Sequence, residues 1–168
     1  MNFELTEEQL AVKEAARDFA INECKAGVID RDRDQIVGHE QLKKLGELGF
    51  MGMMVDPKYG GSGMDTLSYV LAMEEISKID ASISVAMSVN NSLVCWGLES
   101  FGSEDQKQKY LVPLATGQKV GAFCLSEPEA GSDATSQRTT AIDNGDHYLL
   151  NGTKNWITNG STASTYLV

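Results

Sequence analysis

The feature that most constrains this chain is a change of punctuation near residue 117. Before it, apolar residues recur at helical spacing and two segments open with capping boxes. After it, Asn-Gly pairs cut the chain at 144–145, 151–152 and 159–160. In Thr6-Glu7-Glu8-Gln9 and Ser103-Glu104-Asp105-Gln106, a hydroxyl takes a free N–H of the first turn and the glutamine reaches back to another. Leu10, Ala16, Phe19, Ala20 and Cys24 then form an imperfect helical stripe, with Gly27 as its stop. Leu42, Leu45 and Leu48, three apart, predict a short helix from about His39 to Leu48. A third helix is expected from about Asp65 to Ile79, and a fourth from near Asp80. The fifth opens at Ser103 and ends before Pro113 or near Gly117. Pro57, Gly60, Gly61 and Gly63 make 56–63 a loop.

Beyond 117 the pieces are strand-sized. Val120–Leu125 is a short apolar run suited to a buried strand, and Asn-Gly is a strong tight-turn signal. His147–Leu150, Asn155–Thr158 and Thr165–Val168 are the further strands expected. A helical half followed by a β half predicts an α+β protein: a helical domain over 1–117, then the start of a β domain over 118–168. A few strands with an unpaired edge make a poor finished sheet, so the chain is expected to stop inside its β domain.

Charge and composition exclude several functions. Lys+Arg is 14 against 24 Asp+Glu, a net charge of −10, which nucleic acid and anionic bilayers repel. Cys24, Cys95 and Cys124 are odd in number and far apart, against a disulfide framework or zinc site. His39 and His147 lack metal-ligand spacing. Met1-Asn2-Phe3-Glu4 shows no basic, then apolar, secretory start, so a reducing cytoplasm is the expected compartment. Ala81–Leu98 is uncharged over 18 residues, long enough to raise a membrane span. Asn90, Asn91 and Ser92 inside it make a buried core helix the better reading.

Asp30, Asp32 and Asp34 have calcium-loop spacing, but Gln35 and Gln41 stand where the loop needs Gly and Glu, and Arg31 and Arg33 neutralise the run. Gly60-Gly61-Ser62-Gly63 lacks the Lys-Ser/Thr of a phosphate loop and reads as a turn. Glu127 and Glu129 lie on a Pro/Gly loop with no sign of burial, so acid–base work cannot be argued for them. At Gly131-Ser132, a glycine that admits close approach beside a hydroxyl fits a turn and a ligand loop equally. Trp156 and Thr158, two apart on the expected strand, would share a face. An aromatic plane beside a hydroxyl suits a flat heteroaromatic ring, or a Trp packed on the helical half.

Several ordered motifs together resemble the acyl-CoA dehydrogenase family, most closely its short-chain, butyryl-CoA branch. They are Pro57-Lys58-Tyr59-Gly60-Gly61-Ser62-Gly63, Gly102-Ser103-Glu104-Asp105-Gln106-Lys107-Gln108-Lys109-Tyr110-Leu111, Gly121-Ala122-Phe123-Cys124-Leu125-Ser126-Glu127-Pro128, Ala130-Gly131-Ser132-Asp133 and Asn151-Gly152-Thr153-Lys154-Asn155-Trp156-Ile157-Thr158-Asn159-Gly160. The resemblance spans the whole chain. It implies a helical domain, an antiparallel β domain and a further C-terminal helical domain, in a protein more than twice as long.

What the resemblance implies about chemistry is specific. FAD would lie along Phe123 to Ser132, with Leu125 and Ser126 at the pyrimidine edge of the flavin and Gly131 and Ser132 beyond it. Ser132 would lie near both the cofactor pyrophosphate and the acyl-CoA thioester. Trp156, Ile157 and Thr158 match the second flavin segment: Trp156 would cover the ring and Thr158 would bond near N5. The reaction implied is α,β-dehydrogenation of a short-chain acyl-CoA to the trans-2-enoyl-CoA, with electrons passed to an electron-transferring flavoprotein by a homotetramer. The catalytic glutamate of this branch lies in the C-terminal domain, so no catalytic residue is expected here. The uncharged helix would help line the acyl pocket. An oxidase of the same fold and a non-catalytic helical interaction module are the alternatives.

Overall fold

The capping box at Thr6 forms as the sequence dictates. The hydroxyl of Thr6 accepts the Gln9 N–H at 3.2 Å, and Gln9 Oε1 accepts the Thr6 N–H at 3.0 Å. It launches helix α1 (Glu7–Phe19), which continues as a π-helical turn over Ala20–Cys24. These features belong to a computed structural model that describes residues 4–168. The reading of Met1-Asn2-Phe3 as a start without a secretory signal lies outside the described residues.

Ala16, Phe19, Ala20 and Cys24 are buried as expected, joined by Val12, whereas Leu10 faces solvent. Leu10 lies nine residues before Phe19, about two and a half turns, and so points the opposite way. Gly27, at φ +73°, ends this helix. A short helix α2 (Val28–Arg33) follows, where the sequence suggested only a solvated segment. Arg33 pairs with Asp30 and Asp34 on the surface, at 3.0 and 2.8 Å. Arg31 does more. Its guanidinium bridges to Asp80 at 2.8 Å and caps the carbonyls of Cys24 and Ala26.

Helix α3 (His39–Glu47) buries Leu42 and Leu45, while Leu48 is exposed. Asp65 caps α4 (Thr66–Ser77), and Asp80 caps α5 (Ala81–Ser88) through the N–H groups of Ser82 and Ile83. Burial pushes the Asp80 carboxyl up, but Arg31, Ser82 and the Ile83 N–H outweigh it and hold it below the usual range. The helix runs on as a π-helical stretch, Val89–Cys95, into α6 (Trp96–Phe101). No helix among the described residues is long and apolar enough to cross a membrane. The Ser103 box opens α7 (Glu104–Gln106), followed by π-helical Lys107–Leu111 and α8 (Val112–Ala115). Of the two expected ends, before Pro113 or near Gly117, the second holds. Pro113 sits in the first turn of α8, where a missing N–H costs little, and the helix ends instead before Gly117 at φ +72°.

Helix α1 packs along α4, and α3, α5 and the Phe50–Gly52 turn close a core around Leu45, Met51, Ile76 and Met87. Two amides organise the centre. Asn90 donates to the carbonyls of Met51 and Leu114, at 2.8 and 3.2 Å, and accepts the Gly121 N–H at 2.9 Å. Asn91 donates to Phe50 and Met87 and accepts the Met53 N–H at 2.7 Å. Both are fully or almost fully buried. These two amides of the uncharged helix therefore line no pocket: they satisfy backbone groups inside the core.

In the second half, β1 (Gly121–Phe123) pairs in parallel with β4 (Thr165–Leu167), Gly121 opposite Thr165 and Phe123 opposite Leu167. An antiparallel hairpin forms from β2 (Thr140–Asp143) and β3 (Tyr148–Asn151), turning at Asn144-Gly145 with Gly145 at φ +92°. The antiparallel expectation thus holds for the hairpin and not for β1 and β4. Strand β2 was not foreseen, and the strand expected over 155–158 does not form. That stretch bends, with Trp156 at φ +58° and Asn159 at φ +63°. The side chain of Asn159 donates to the carbonyls of Gly121 and Ala86, at 3.0 and 3.3 Å. It ties a turn, rather than a strand, to β1 and α5.

Candidate functional site

The site begins where β1 ends. The backbone leaves Phe123 through Cys124 to Leu125 and Ser126, and two later segments close on it. Asn155 donates its N–H to the Ser126 carbonyl at 2.8 Å. The Leu125 carbonyl accepts from Gln137 Nε2 at 2.7 Å and from Lys154 Nζ at 3.3 Å. The two candidate ligand segments, distant in sequence, are therefore neighbours in space.

Glu127 locks them together. Its side chain is only 3 % exposed, with Lys154 Nζ at 2.7 Å. The same carboxylate accepts the Arg138 N–H at 2.6 Å and the Thr139 N–H at 3.1 Å. The expectation that Glu127 shows no burial is corrected, but the consequence is not acid–base catalysis. The Lys154 ammonium, then Thr139 and the Arg138 N–H, hold its carboxyl down to about 2. A carboxylate so stabilised is a poor proton acceptor near neutrality. Glu129 is exposed, 3.8 Å from Arg138, and Glu99 accepts the Asp56 N–H at 2.9 Å.

Around these anchors lie open surfaces. Phe123 and Leu125 line a cavity of about 460 Å³ with Leu93, Trp96, Gln137 and Val168. Trp96 meets Phe101 edge to face, centroids 5.6 Å apart. Gly131 and Ser132 sit exposed on the loop that follows, and a Cβ at Gly131 would meet nothing within 4 Å. Trp156 is 93 % exposed. Thr158, half-buried, lines a separate cleft of about 270 Å³ with Arg31, Val37, Ile83, Ala86 and Asn159. Ile157 is half-buried, its carbonyl accepting the Gly160 N–H at 2.9 Å.

Trp156 and Thr158 do not share a face, because 155–158 is not a strand. The bend at Trp156 sends the indole outward and leaves Thr158 against the helical half. The site residues divide accordingly. Phe123 and Leu125 share one cavity, Ser126 is bonded to the segment carrying Trp156, and Gly131 and Ser132 stand apart on the loop tip. Sequence reasoning missed Gln137, Lys154 and Asn159, whose partners lie far away along the chain and carry no spacing signal.

The other constellations resolve as structure. In 60–63, the Gly60, Ser62 and Gly63 N–H groups donate to the carbonyls of Pro57, Gly52 and Val55. These donors are spent within the fold, so the loop is a packing turn and not a phosphate cradle. Among the described residues no group of three or more His, Cys, Asp or Glu could hold a metal ion. The three cysteines are buried and unpaired.

A helical half, a β half and an open site between strand exit and bend define a recognisable class. The sequence model of the acyl-CoA dehydrogenase N-terminal domain matches residues 6–118, and that of the acyl-CoA dehydrogenase middle domain matches 122–168. The chain belongs to the acyl-CoA dehydrogenase family. It is 45% identical over 168 residues to the short-chain specific acyl-CoA dehydrogenase of Clostridium acetobutylicum, covering 100% of this chain and 44% of that one. A solved chain from work on the electron transferring flavoprotein of Acidaminococcus fermentans superposes with a TM-score of 0.96 at 48% identity. It covers 100% of this chain and 44% of its own length. Glutaryl-CoA dehydrogenase from Mycobacterium smegmatis, in complex with FADH2, superposes with a TM-score of 0.93 at 35% identity, over 98% of this chain and 42% of that one. The present chain thus spans less than half the length of these relatives.

Proposed function

We propose that the whole protein is an FAD-dependent dehydrogenase that converts a short-chain acyl-CoA to the trans-2-enoyl-CoA in fatty-acid oxidation. It passes electrons to an electron-transferring flavoprotein and works as a homotetramer in the cytoplasm. The observation that carries this reading is the 2.8 Å bond from Asn155 to Ser126, which sets the two candidate flavin segments side by side. The name of the Clostridium relative supports the short-chain substrate.

The residues suit FAD chemically. An isoalloxazine ring is flat, apolar on one flank and polar on the other. Trp156 offers an uncovered aromatic plane, Leu125 an apolar edge, and Ser126 and Thr158 hydroxyls. The room at Gly131 admits close approach of a bulky group to the backbone. FAD, when bound, supplies the hydride acceptor.

The roles of this chain's residues follow from that assignment. Phe123, Leu125 and Ser126 would hold the ring, and donors there would favour the negative charge that reduction places on its pyrimidine edge. Ser132 would hold the pyrophosphate side of the cofactor and the thioester, with Gly131 leaving room beside it. Trp156 would cover the ring, with Ile157 in the same segment, and the Thr158 hydroxyl would serve as a donor near N5. Glu127, committed to Lys154, is not the base that takes the C2 proton.

Anaerobic addition of butyryl-CoA to the purified whole protein tests this. Bleaching of a bound flavin, with electrons recovered in electron-transferring flavoprotein, is expected. A colourless protein, or a flavin unmoved by acyl-CoA, overturns the proposal. Peroxide formation in air at the same rate would make it an oxidase.

A further inference from the structure

The Leu125–Ser126 peptide has an unusual electrostatic setting. Its carbonyl is held from one side by Lys154 Nζ at 3.3 Å and from another by Gln137 Nε2 at 2.7 Å. The Ser126 N–H belongs to that same planar, conjugated unit, and nothing among the described residues accepts from it. Donation to a peptide oxygen draws electron density toward it and makes the N–H at the other end a stronger donor, because linked hydrogen bonds polarise one another. The Lys154 side chain is 15 % exposed, so water screens its charge weakly.

Glu127 opposes that charge at 2.7 Å. It also accepts the Arg138 and Thr139 N–H groups, so the pair is fixed at both ends. The result is a charge whose reach toward the peptide is set by a neighbouring countercharge.

We propose that Lys154 and Gln137 tune the Leu125–Ser126 peptide as a donor that favours reduced flavin, and that Glu127 limits how much of the Lys154 charge it receives. These are positioning residues, acting through the peptide. The proposal rests on the flavin reading above and adds to it a control of reduction potential. Reduced flavin carries more negative charge at its pyrimidine edge, so a stronger donor there raises the potential and a weaker one lowers it.

The test is the two-electron potential of the FAD-loaded whole protein, measured against a reference dye, with FAD affinity measured in parallel. Lys154→Met should lower the potential. Glu127→Gln, which keeps an amide oxygen for the backbone donors but leaves the lysine charge uncompensated, should raise it. Each shift is expected at about tenfold in the reduced-to-oxidised ratio, about 30 mV for two electrons. Lys154→Arg should restore most of the parent value. Gln137→Leu, at an exposed side chain, leaves the ion pair intact and should lower the potential by less. A merely structural clamp predicts weaker FAD binding in the Lys154 and Glu127 variants without opposite signs. Shifts of the same sign in Lys154→Met and Glu127→Gln overturn the proposal. Should either of these variants fail to fold, an unchanged potential in Gln137→Leu overturns it and a lowered one supports it. A parent protein that binds no FAD would sink the flavin reading itself, a different outcome from a parent that binds FAD with variants of unmoved potential.

Discussion

Asn155 donates its backbone N–H to the carbonyl of Ser126 at 2.8 Å, and this bond sets the 152–158 bend against the exit of β1. Next to it, the Glu127–Lys154 pair joins the same two segments through side chains. One contact is blind to side-chain identity and the other depends on charge, so pH separates them.

Glu127 is the pH-sensitive element. Its folded-state carboxyl lies near 2, below its ordinary 4.5. Its stabilising contribution is therefore complete above pH 4.5 and is lost as pH falls toward 2. Chemical denaturation of parent and Glu127→Gln at several pH values should give the largest gap near neutrality, closing between pH 4.5 and 2. A gap that stays constant across that window would remove the ion pair from the account.

Asn90→Leu should be among the most damaging single changes. It strips partners from the carbonyls of Met51 and Leu114 and from the Gly121 N–H, all at a side chain with no solvent exposure. Each buried group left unsatisfied costs roughly 1–3 kcal/mol, so a loss of about 3–5 kcal/mol is expected. The denaturation midpoint should fall with an unchanged slope. A loss under about 1 kcal/mol would mean that water fills the gap.

Gly61→Ala tests the packing reading of the 60–63 turn. An added Cβ would lie 2.1 Å from the Val55 carbonyl oxygen, a backbone atom that cannot swing away. The melting temperature of the variant should drop clearly. If the turn instead served a phosphate ligand, Gly61→Ala would spare stability and change ligand affinity.

Trp156→Ala and Thr158→Ala should part company. Trp156 is 93 % exposed, so its removal should leave the stability of the FAD-free protein unchanged and weaken FAD binding, because a large stacking surface is lost. Thr158→Ala should keep FAD bound and slow hydride transfer. One lost hydrogen bond is worth about 0.5–1.5 kcal/mol, up to about tenfold in rate. Stopped-flow reduction and flavin fluorescence titration read the two effects. A Thr158→Ala enzyme with the parent's potential and rate would leave that hydroxyl without a role in the reaction.

What the sequence determined by itself is the local architecture. The Thr6 and Ser103 boxes, the stops at Gly27 and Gly117 and the Asn144-Gly145 hairpin turn all rest on interactions within about four residues, where residue type and spacing suffice. The division into a helical and a β half follows from the same signals, and Leu125, Ser126 and Trp156 were legible as candidates through ordered motifs. Only the tertiary structure decided the rest. The Glu127–Lys154 pair closes over 27 residues, Asn90 to Gly121 over 31 and Arg31 to Asp80 over 49. The bend at Trp156 replaced an expected strand because Asn159 found its carbonyl partners on β1 and α5, 38 and 73 residues away. Such contacts depend on which chain segments the core brings together, and a buried polar group takes whatever partner the packed fold presents.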